Sequence, residues 1–189
     1  MSKLQITAAF MVMLIIAAAE ARPLYRKTRR PRVRPWNLLP WNILGQNVGA
    51  DVTGLEYYVQ VGIGQPDLQE LIPAINTTYS NNFGSTQLFA FNVTEGADPS
   101  STLLGYVRGY TVESSYTSTG VAVEVEILSY NDGTLNGTVS IQALITNGPN
   151  EVSIVGGTGD FRGVSGYGLV NFVNTSGNIV LFHHELHFL

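Results

Sequence analysis

The stretch that most constrains the fold runs from residue 151 to residue 168 and reads E-V-S-I-V-G-G-T-G-D-F-R-G-V-S-G-Y-G. It has six glycines among eighteen residues, within what otherwise reads as β-structure. Glycine weakens a strand unless a bend, a bulge or a close approach of two backbones requires it. The block therefore predicts a tightly curved barrel rim, with Asp160 and Arg162 placed at the bend.

The start of the chain has the pattern of a secretory signal. Lys3 gives a positive start, an apolar run extends from Ala8 to Ala19, and Ala19-Glu20-Ala21 has the small-x-small form of a cleavage site. The run is shorter than the about 20 residues that a membrane-spanning helix needs. We expect residues 1–21 to be a cleaved signal peptide of a secreted protein without a membrane span; an uncleaved anchor is the alternative.

The chain of 189 residues contains no cysteine. Small secreted domains often depend on disulfides because they bury too little apolar surface. Here the fold must depend on its core, and residues 49–189 are enough for one domain with such a core. The lack of cysteine also excludes thiol nucleophiles, iron–sulfur clusters and thiolate zinc sites.

Residues 22–48 form a basic, proline-rich arm before an acidic body. Seven of the ten Lys and Arg residues lie between Arg22 and Arg34, whereas thirteen of the fourteen acidic residues follow Gly49. The arm is poor in residues that pack, so we expect it to be disordered. Three interpretations remain open: a plain linker or pro-segment, an arm that binds acidic wall polysaccharides, and, least in keeping with secretion, a nucleic-acid-binding arm.

Four acceptor patterns for N-glycosylation support secretion. Each is an asparagine followed two residues later by serine or threonine, and the chain has them at Asn76, Asn92, Asn136 and Asn174. One such pattern is common by chance, but four after a signal peptide carry more weight. If they are glycosylated, these positions lie at the surface.

The body has the alternation of antiparallel β-structure. Val121–Ile127 places its valines and isoleucine on one face and Glu124 and Glu126 on the other, and Leu104–Val112 places Tyr106, Arg108 and Tyr110 on a common face. Further strands are predicted at Thr138–Leu144, Val152–Val155, Tyr167–Val173 and Ile179–Leu189.

Two turn signals separate these strands, Asn131-Asp132-Gly133 and Ser176-Gly177-Asn178. No convincing amphipathic helix lies between the strands. The pattern predicts an all-β sandwich or closed barrel, and a small barrel can hold one ligand in its lumen.

Four blocks of the chain together resemble the plant dirigent family. Tyr57–Gly64 lies where that family has its first strand, Thr94–Tyr110 resembles its T-x-G-P-D-P region, Gly133–Gln142 resembles G-x-Y-N-G-S-T-L-S-I-Q, and the glycine-rich block resembles E-L-S-V-V-G-G-T-G-x-F-R-x-A-R-G-Y-A. The blocks occur in order over about residues 55–189. The resemblance implies an eight-stranded antiparallel β-barrel with a central apolar cavity, similar to allene oxide cyclases, that forms homodimers or homotrimers.

The resemblance also implies a function. Dirigent proteins steer the coupling of phenoxy radicals, such as those of coniferyl alcohol, towards one stereoisomer in lignan synthesis. A separate oxidase, a laccase or peroxidase, makes the radicals. The expected protein is thus an auxiliary of the cell-wall space without redox activity or cofactor. The alternative is a non-catalytic wall or defence module that binds phenolics or glycans. A third, weaker hypothesis is an isomerase or cyclase that resembles allene oxide cyclase.

The family's polar residues carry over only in part. Asp160 and Tyr110 occupy positions where family members often have a functional acid and tyrosine, and Arg108 and Arg162 are the only cations of the body. We therefore take these four as candidate catalytic residues. Each has an alternative structural role. Asp160 could cap a turn, the two arginines could be ion-pair partners, and Tyr110 could be an aromatic residue of the core or rim.

Other family residues are missing. The first-strand acid falls at Gln60-Val61, the acidic pair before the second block falls near Ala90-Phe91, and the arginine of A-R-G falls at Ser165.

The last strand concentrates the three histidines of the chain. His183, Glu185 and His187 share one face and have the donor types of a divalent metal site, but a solvated outer strand face also explains them and is the preferred interpretation. Since the family needs no metal, we expect none. His184 points the other way, and we expect it to be a hydrogen-bonded core histidine.

Overall fold

The computed structural model describes residues 52–64, 66–75, 82–116, 121–146 and 150–189. The expected signal peptide and basic arm lie outside the described residues, and so does Asn76. Within them, no helix is long and apolar enough to cross a membrane.

Nine antiparallel strands make up the described part of the chain. They are β1 (Gly54–Gly62), β2 (Leu68–Ile72), β3 (Thr86–Thr94), β4 (Leu103–Glu113), β5 (Ala122–Asn131), β6 (Asn136–Ile145), β7 (Asn150–Gly159), β8 (Gly166–Ser176) and β9 (Ile179–Phe188). Their order is β1-β9-β8-β7-β6-β5-β4-β3-β2, and β1 also pairs with β3. This last pairing closes eight strands into a barrel and leaves β2 as an extra strand against β3. The predicted eight-stranded antiparallel barrel is confirmed.

Both predicted turns join neighbouring strands. Gly133 has a φ of 88° between β5 and β6, and its N–H donates to the side-chain oxygen of Asn131 at 2.9 Å. Gly177 has a φ of 58° between β8 and β9. These left-handed conformations suit glycine because it has no Cβ atom.

One end of the barrel, which we call the packed end, is filled with side chains. The β5–β6 and β7–β8 connections lie at this end, and Phe161, in the second connection, is fully buried. Its ring lies 5.9 Å from that of Tyr130 and 6.0 Å from that of Phe188, measured between ring centroids. β4 and β6 end, and β5 and β7 begin, at the opposite end of the barrel, which we call the open end.

The glycine-rich block forms the bend that carries Phe161 into the packed end. β7 ends at Gly159 and β8 begins at Gly166, both with positive φ. A Cβ atom on Gly157 would lie 2.4 Å from the carbonyl oxygen of Phe161 and 2.7 Å from that of Thr138. The glycines therefore serve backbone contact as well as curvature, and the predicted bend at Asp160 and Arg162 is confirmed.

Strand β5 reverses the usual arrangement of apolar and charged residues. Glu126 is buried and Glu124 half-buried on the inner face, whereas Val123 and Ile127 are exposed on the outer face. The alternation predicted from the sequence is present, but the barrel encloses the acidic face. Two carboxyl groups on one strand thus lie inside the barrel.

Replacing Gly157 with alanine is expected to destabilise the barrel by about 1–3 kcal/mol, because the new methyl group would overlap two backbone oxygens that cannot move independently. Gly156→Ala is the matched control, since a Cβ atom there would meet nothing within 4 Å. Urea unfolding of the two variants measures the difference. Equal stabilities would show that backbone contact does not require glycine at position 157.

Candidate functional site

A cavity lies inside the barrel between the packed end and the open end. Its volume is about 80 Å³, and most of its walls are apolar. The lining residues are Val59, Val61, Leu68, Phe89, Phe91, Val107, Glu124, Glu126, Ile145, Asn150, Val170, Phe182 and His184. The predicted apolar cavity is present, and four polar side chains interrupt it.

The two glutamates of β5 are the acidic groups of this cavity. Burial raises the pKa of Glu124 to about 7, and burial together with the charge of Glu124 raises the pKa of Glu126 well above its usual range. Glu126 is only 4% exposed, and its Oε1 atom has no hydrogen-bond partner. The pair therefore holds at least one proton near neutral pH, so it can both donate and accept one.

Two further polar groups lie beside Glu126 in the interior. His184 is 6% exposed, its Nδ1 atom has no hydrogen-bond partner, and burial lowers its pKa to about 3. Its ring lies 5.1 Å from that of Tyr57, whose hydroxyl is also unpaired. The inward position of His184 is confirmed, but the expected hydrogen bond is absent at Nδ1.

We call Glu126 and His184, which line the cavity, together with the buried Tyr57 beside them the polar floor. The next inward residues of β5 and β9 towards the packed end, Leu128 and Leu186, are fully buried. Buried polar atoms in folded proteins nearly always have a hydrogen-bond partner. Three unpaired groups so close together make this part of the cavity the candidate site for binding a polar atom.

The structure places Asp160 and Arg162 away from this cavity. Both side chains are exposed in the β7–β8 bend at the packed end. A carboxylate oxygen of Asp160 accepts the backbone N–H of Asn136 at 2.7 Å, which is the contact of a turn cap. The two residues are near each other in sequence but do not meet the polar floor.

Arg108 and Tyr110 also lie outside the cavity. Both are exposed on the outer face of β4, where the Arg108 guanidinium lies 4.5 Å from the ring centre of Tyr106. The predicted common face of these residues is confirmed, and it is the outer one. The four candidate catalytic residues therefore form two separate groups, and their catalytic role stays a prediction.

The outer face of β9 holds the other two histidines. His183 Nε2 lies 2.9 Å from Glu56 Oε1, and its Nδ1 lies 3.5 Å from Glu185 Oε1. The ring of His187 stacks on that of Tyr167 at 4.8 Å. Among the described residues, no set of three His, Cys, Asp or Glu side chains is arranged to hold a metal ion.

Uncharged residues occupy the positions of the missing family acids. Gln60 is buried, and its amide Nε2 donates to Thr94 Oγ1 at 3.0 Å and to the carbonyl of Ala97 at 3.2 Å. Phe91 lines the cavity. The interior acids are instead Glu124 and Glu126, and the alternation of β5 was the sequence signal that placed them on one face.

Comparison with known proteins agrees with this architecture. The model of the dirigent-like protein family matches residues 52–188. The pterocarpan synthase dirigent protein PsPTS1 is 23% identical with a TM-score of 0.63, over 72% of this chain and 94% of its own. A second one, GePTS1, is 24% identical with a TM-score of 0.62, over 72% and 83%.

A pyocyanin demethylase is also similar, at 17% identity and a TM-score of 0.52, over 71% of this chain and 100% of its own. No curated protein sequence matches the chain. At these identities, the solved structures show a shared fold.

The raised pKa values of the two interior glutamates predict a pH-dependent stability. When the pKa of a carboxyl group is higher in the folded than in the unfolded state, the folded state loses stability as the pH rises from the unfolded-state pKa to the folded-state pKa. The double variant Glu124→Gln/Glu126→Gln is therefore expected to gain stability relative to wild type between about pH 4.5 and pH 8, on the order of 2 kcal/mol. Urea unfolding at the two pH values measures this change.

The variant must be compared with wild type at each pH, because His184 has the opposite dependence. Its lowered pKa makes the folded state lose stability as pH falls from about 6.5 towards 3. Glu151→Gln is the control, since that side chain is exposed on β7. A double variant whose stability relative to wild type is the same at both pH values would contradict raised carboxyl pKa values.

Proposed function

Because this chain belongs to the dirigent family, we propose that it steers the coupling of phenoxy radicals of coniferyl alcohol or similar phenols towards one stereoisomer. The observation that carries the proposal is the carboxyl pair Glu124 and Glu126 inside an otherwise apolar and aromatic cavity. Such walls hold a ring in one orientation, and the carboxyl groups bind its polar end.

The proposed role needs no oxidation by the protein. A separate oxidase, a laccase or peroxidase, removes one electron and one proton from each phenol. Two radicals then form a carbon–carbon bond, and the barrel favours one face of attack. A product ratio of about 95:5 needs only about 1.7 kcal/mol between the competing barriers, so orientation by cavity walls is sufficient.

The carboxyl pair supplies the proton transfers of ring closure. A hydroxyl group of the coupled product attacks the quinone methide, and its proton passes to an ionised carboxylate. The protonated carboxyl of the pair gives a proton to the quinone oxygen, which becomes a phenol. No net proton is gained or lost, and the raised pKa values of Glu124 and Glu126 suit both roles near neutral pH.

The size of the cavity favours a second candidate. Its volume of about 80 Å³ is below the roughly 300–1,000 Å³ of sites that enclose a drug-sized ligand. A phenol reaching the polar floor therefore extends to the open end, and a second radical would bind at that mouth. A non-catalytic wall or defence module that binds one phenolic or sugar group would need no such second position.

We place the protein outside the cell, in the wall space where such phenols are oxidised. Three of the four acceptor asparagines, Asn92, Asn136 and Asn174, are exposed, as attached glycans would require. The basic arm, residues 22–48, would hold the acidic barrel on wall polyanions.

We further propose self-association through the outer face of β3 to β6. This outer patch contains exposed apolar side chains on adjacent strands, namely Leu88, Tyr110, Val123, Ile127 and Leu144. Exposed apolar patches of this kind commonly mark protein interfaces. A homodimer or homotrimer would cover the valine face that β5 turns away from the core.

Glu126→Gln is expected to lower the enantiomeric excess of coniferyl alcohol coupling at least about tenfold, because the variant lacks the carboxyl group that binds the polar end of the ring and fixes its orientation. The assay combines the full secreted chain, a one-electron oxidant and coniferyl alcohol, and chiral chromatography reads the products. Substrate consumption should stay the same with and without the protein. Glu151→Gln, on the outside of β7, is the matched control.

Asp160→Asn in the same assay shows whether stereoselectivity depends on the acid at the packed end or on Glu126 in the cavity. Loss of selectivity in Asp160→Asn, with Glu126→Gln unaffected, would overturn the assignment to Glu126. A racemic product at every dose of wild type would reject coniferyl alcohol coupling and favour the binding module.

Val123→Glu is expected to dissociate the assembly into monomers, because Val123 lies opposite Val112 and Leu144 on the neighbouring strands and a carboxylate there would be buried without a partner. Light scattering coupled to size-exclusion chromatography gives the mass. Val173→Glu is the control, since Val173 is exposed on β8, outside the patch. A wild-type protein that is monomeric at micromolar concentration would contradict the proposed interface.

A further inference from the structure

The unpaired polar atoms that line the cavity are mainly hydrogen-bond acceptors. Glu124 and Glu126 present carboxyl oxygens, and the neutral His184 leaves Nδ1 without a partner. The lining residues include no lysine or arginine. The two cations after Arg34, Arg108 and Arg162, are both exposed on the outside. Among the described lining residues, Asn150 is the one with side-chain amide N–H donors, so a ligand that pairs with Glu126 Oε1 and His184 Nδ1 must bring hydrogen-bond donors of its own.

Charge excludes one class of ligand. A carboxylate or phosphate group at the polar floor would face two glutamates and no cation, and an unpaired charge in a buried site is strongly unfavourable. An ammonium group has the opposite sign and carries several N–H donors. It matches the unpaired atoms of Glu126 and His184, and the Tyr57 hydroxyl lies beside them.

The aromatic walls fit the same class of ligand. Phe89 and Phe91 stack with their ring centroids 5.0 Å apart and their planes 2° from parallel, and Phe182 also lines the cavity. Aromatic faces attract cations, most strongly where water is excluded. The aromatic walls can therefore stabilise a positive charge as well as pack against an apolar ring.

The cavity volume sets the size of the group that reaches the floor. An apolar cavity of about 150 Å³ is known to hold benzene, whereas this one has about 80 Å³. A substituted ring does not fit there completely, but a short alkyl chain ending in a polar group does. The ring then lies nearer the open end, between the apolar walls.

We propose that the group bound at the polar floor is a protonated amine, so that the preferred ligand is a small phenol with an alkylammonium side chain. The inference rests on the proposed function only in taking this cavity as the substrate site. It narrows the substrate from phenols in general to phenolic amines. The raised carboxyl pKa values add a signature, because a bound cation stabilises the ionised carboxylates and releases protons.

The test uses three phenols that differ in the end group of one side chain: tyramine, tyrosol and 3-(4-hydroxyphenyl)propionate. These carry an ammonium, a hydroxyl and a carboxylate, respectively. Isothermal titration of the full chain near pH 7.5 is expected to give a Kd for tyramine at least about tenfold below that for tyrosol. No binding of the propionate is expected. Tyramine binding should release protons, seen as different heats in two buffers of different ionisation enthalpy.

Glu126→Gln should reduce the tyramine preference to about threefold or less, while Glu151→Gln keeps the full preference. If Glu126→Gln fails to fold, the comparison of the three phenols binding to the wild-type protein still tests the proposal. Three results would overturn the proposal. Tyrosol could bind as tightly as tyramine, the propionate could bind, or none of the three phenols could bind at concentrations up to about 10 mM.

The titrations need no oxidant and no coupling, so the two proposals can fail separately. Selective coupling of coniferyl alcohol without a preference for tyramine would reject the amine site and keep the directing role. A tyramine preference with racemic coupling would keep the site and reject the directing role.

Discussion

The pairing of β1 with β3 closes the barrel, and this closure decides which side chains of every strand lie in the interior. The pairing runs from Tyr58 with Thr94 to Gln60 with Asn92, and the buried Gln60 amide ties the two strands to the β3–β4 connection. A closed barrel gives every strand one inner and one outer face. The side-chain period of two then decides which residues meet the interior.

That constraint explains why two glutamates are buried. A shift of one residue in β5 would turn its valines inward and expose Glu124 and Glu126. It would also expose Leu128 and remove the Tyr130 ring from Phe161 at the packed end. The packed end therefore holds the register of β5, and the energetic cost of the buried carboxyl groups is offset there. Stability is concentrated at one end and the candidate site lies towards the other.

Much of the fold could be predicted from the sequence, and the site could not. Alternation located β4 to β6, and the glycine-rich block located the bend before β8, because both patterns are local. The two-residue alternation of side chains along a strand shows which residues share a face of the sheet, but it does not show which face lies inside the barrel. Arg108 and Tyr110 were therefore correctly grouped and lie outside, whereas the faces of β5 are opposite to a hydrophobic-in pattern. Only the closed pairing of distant strands brings Glu126 of β5 beside His184 of β9 and Tyr57 of β1.

We propose that the carboxyl pair of the cavity keeps at least one proton near neutral pH and contacts the ligand. Carbon-13 NMR of protein labelled at the glutamate carboxyl carbons tests it most directly, with Glu124→Gln and Glu126→Gln to assign the signals. We expect the Glu124 signal to titrate near pH 7, the Glu126 signal to titrate well above the ordinary glutamate pKa, and both signals to shift when a phenol binds. Titration of both signals near the ordinary glutamate value of about 4.3, without a shift on addition of a phenol, would contradict the account.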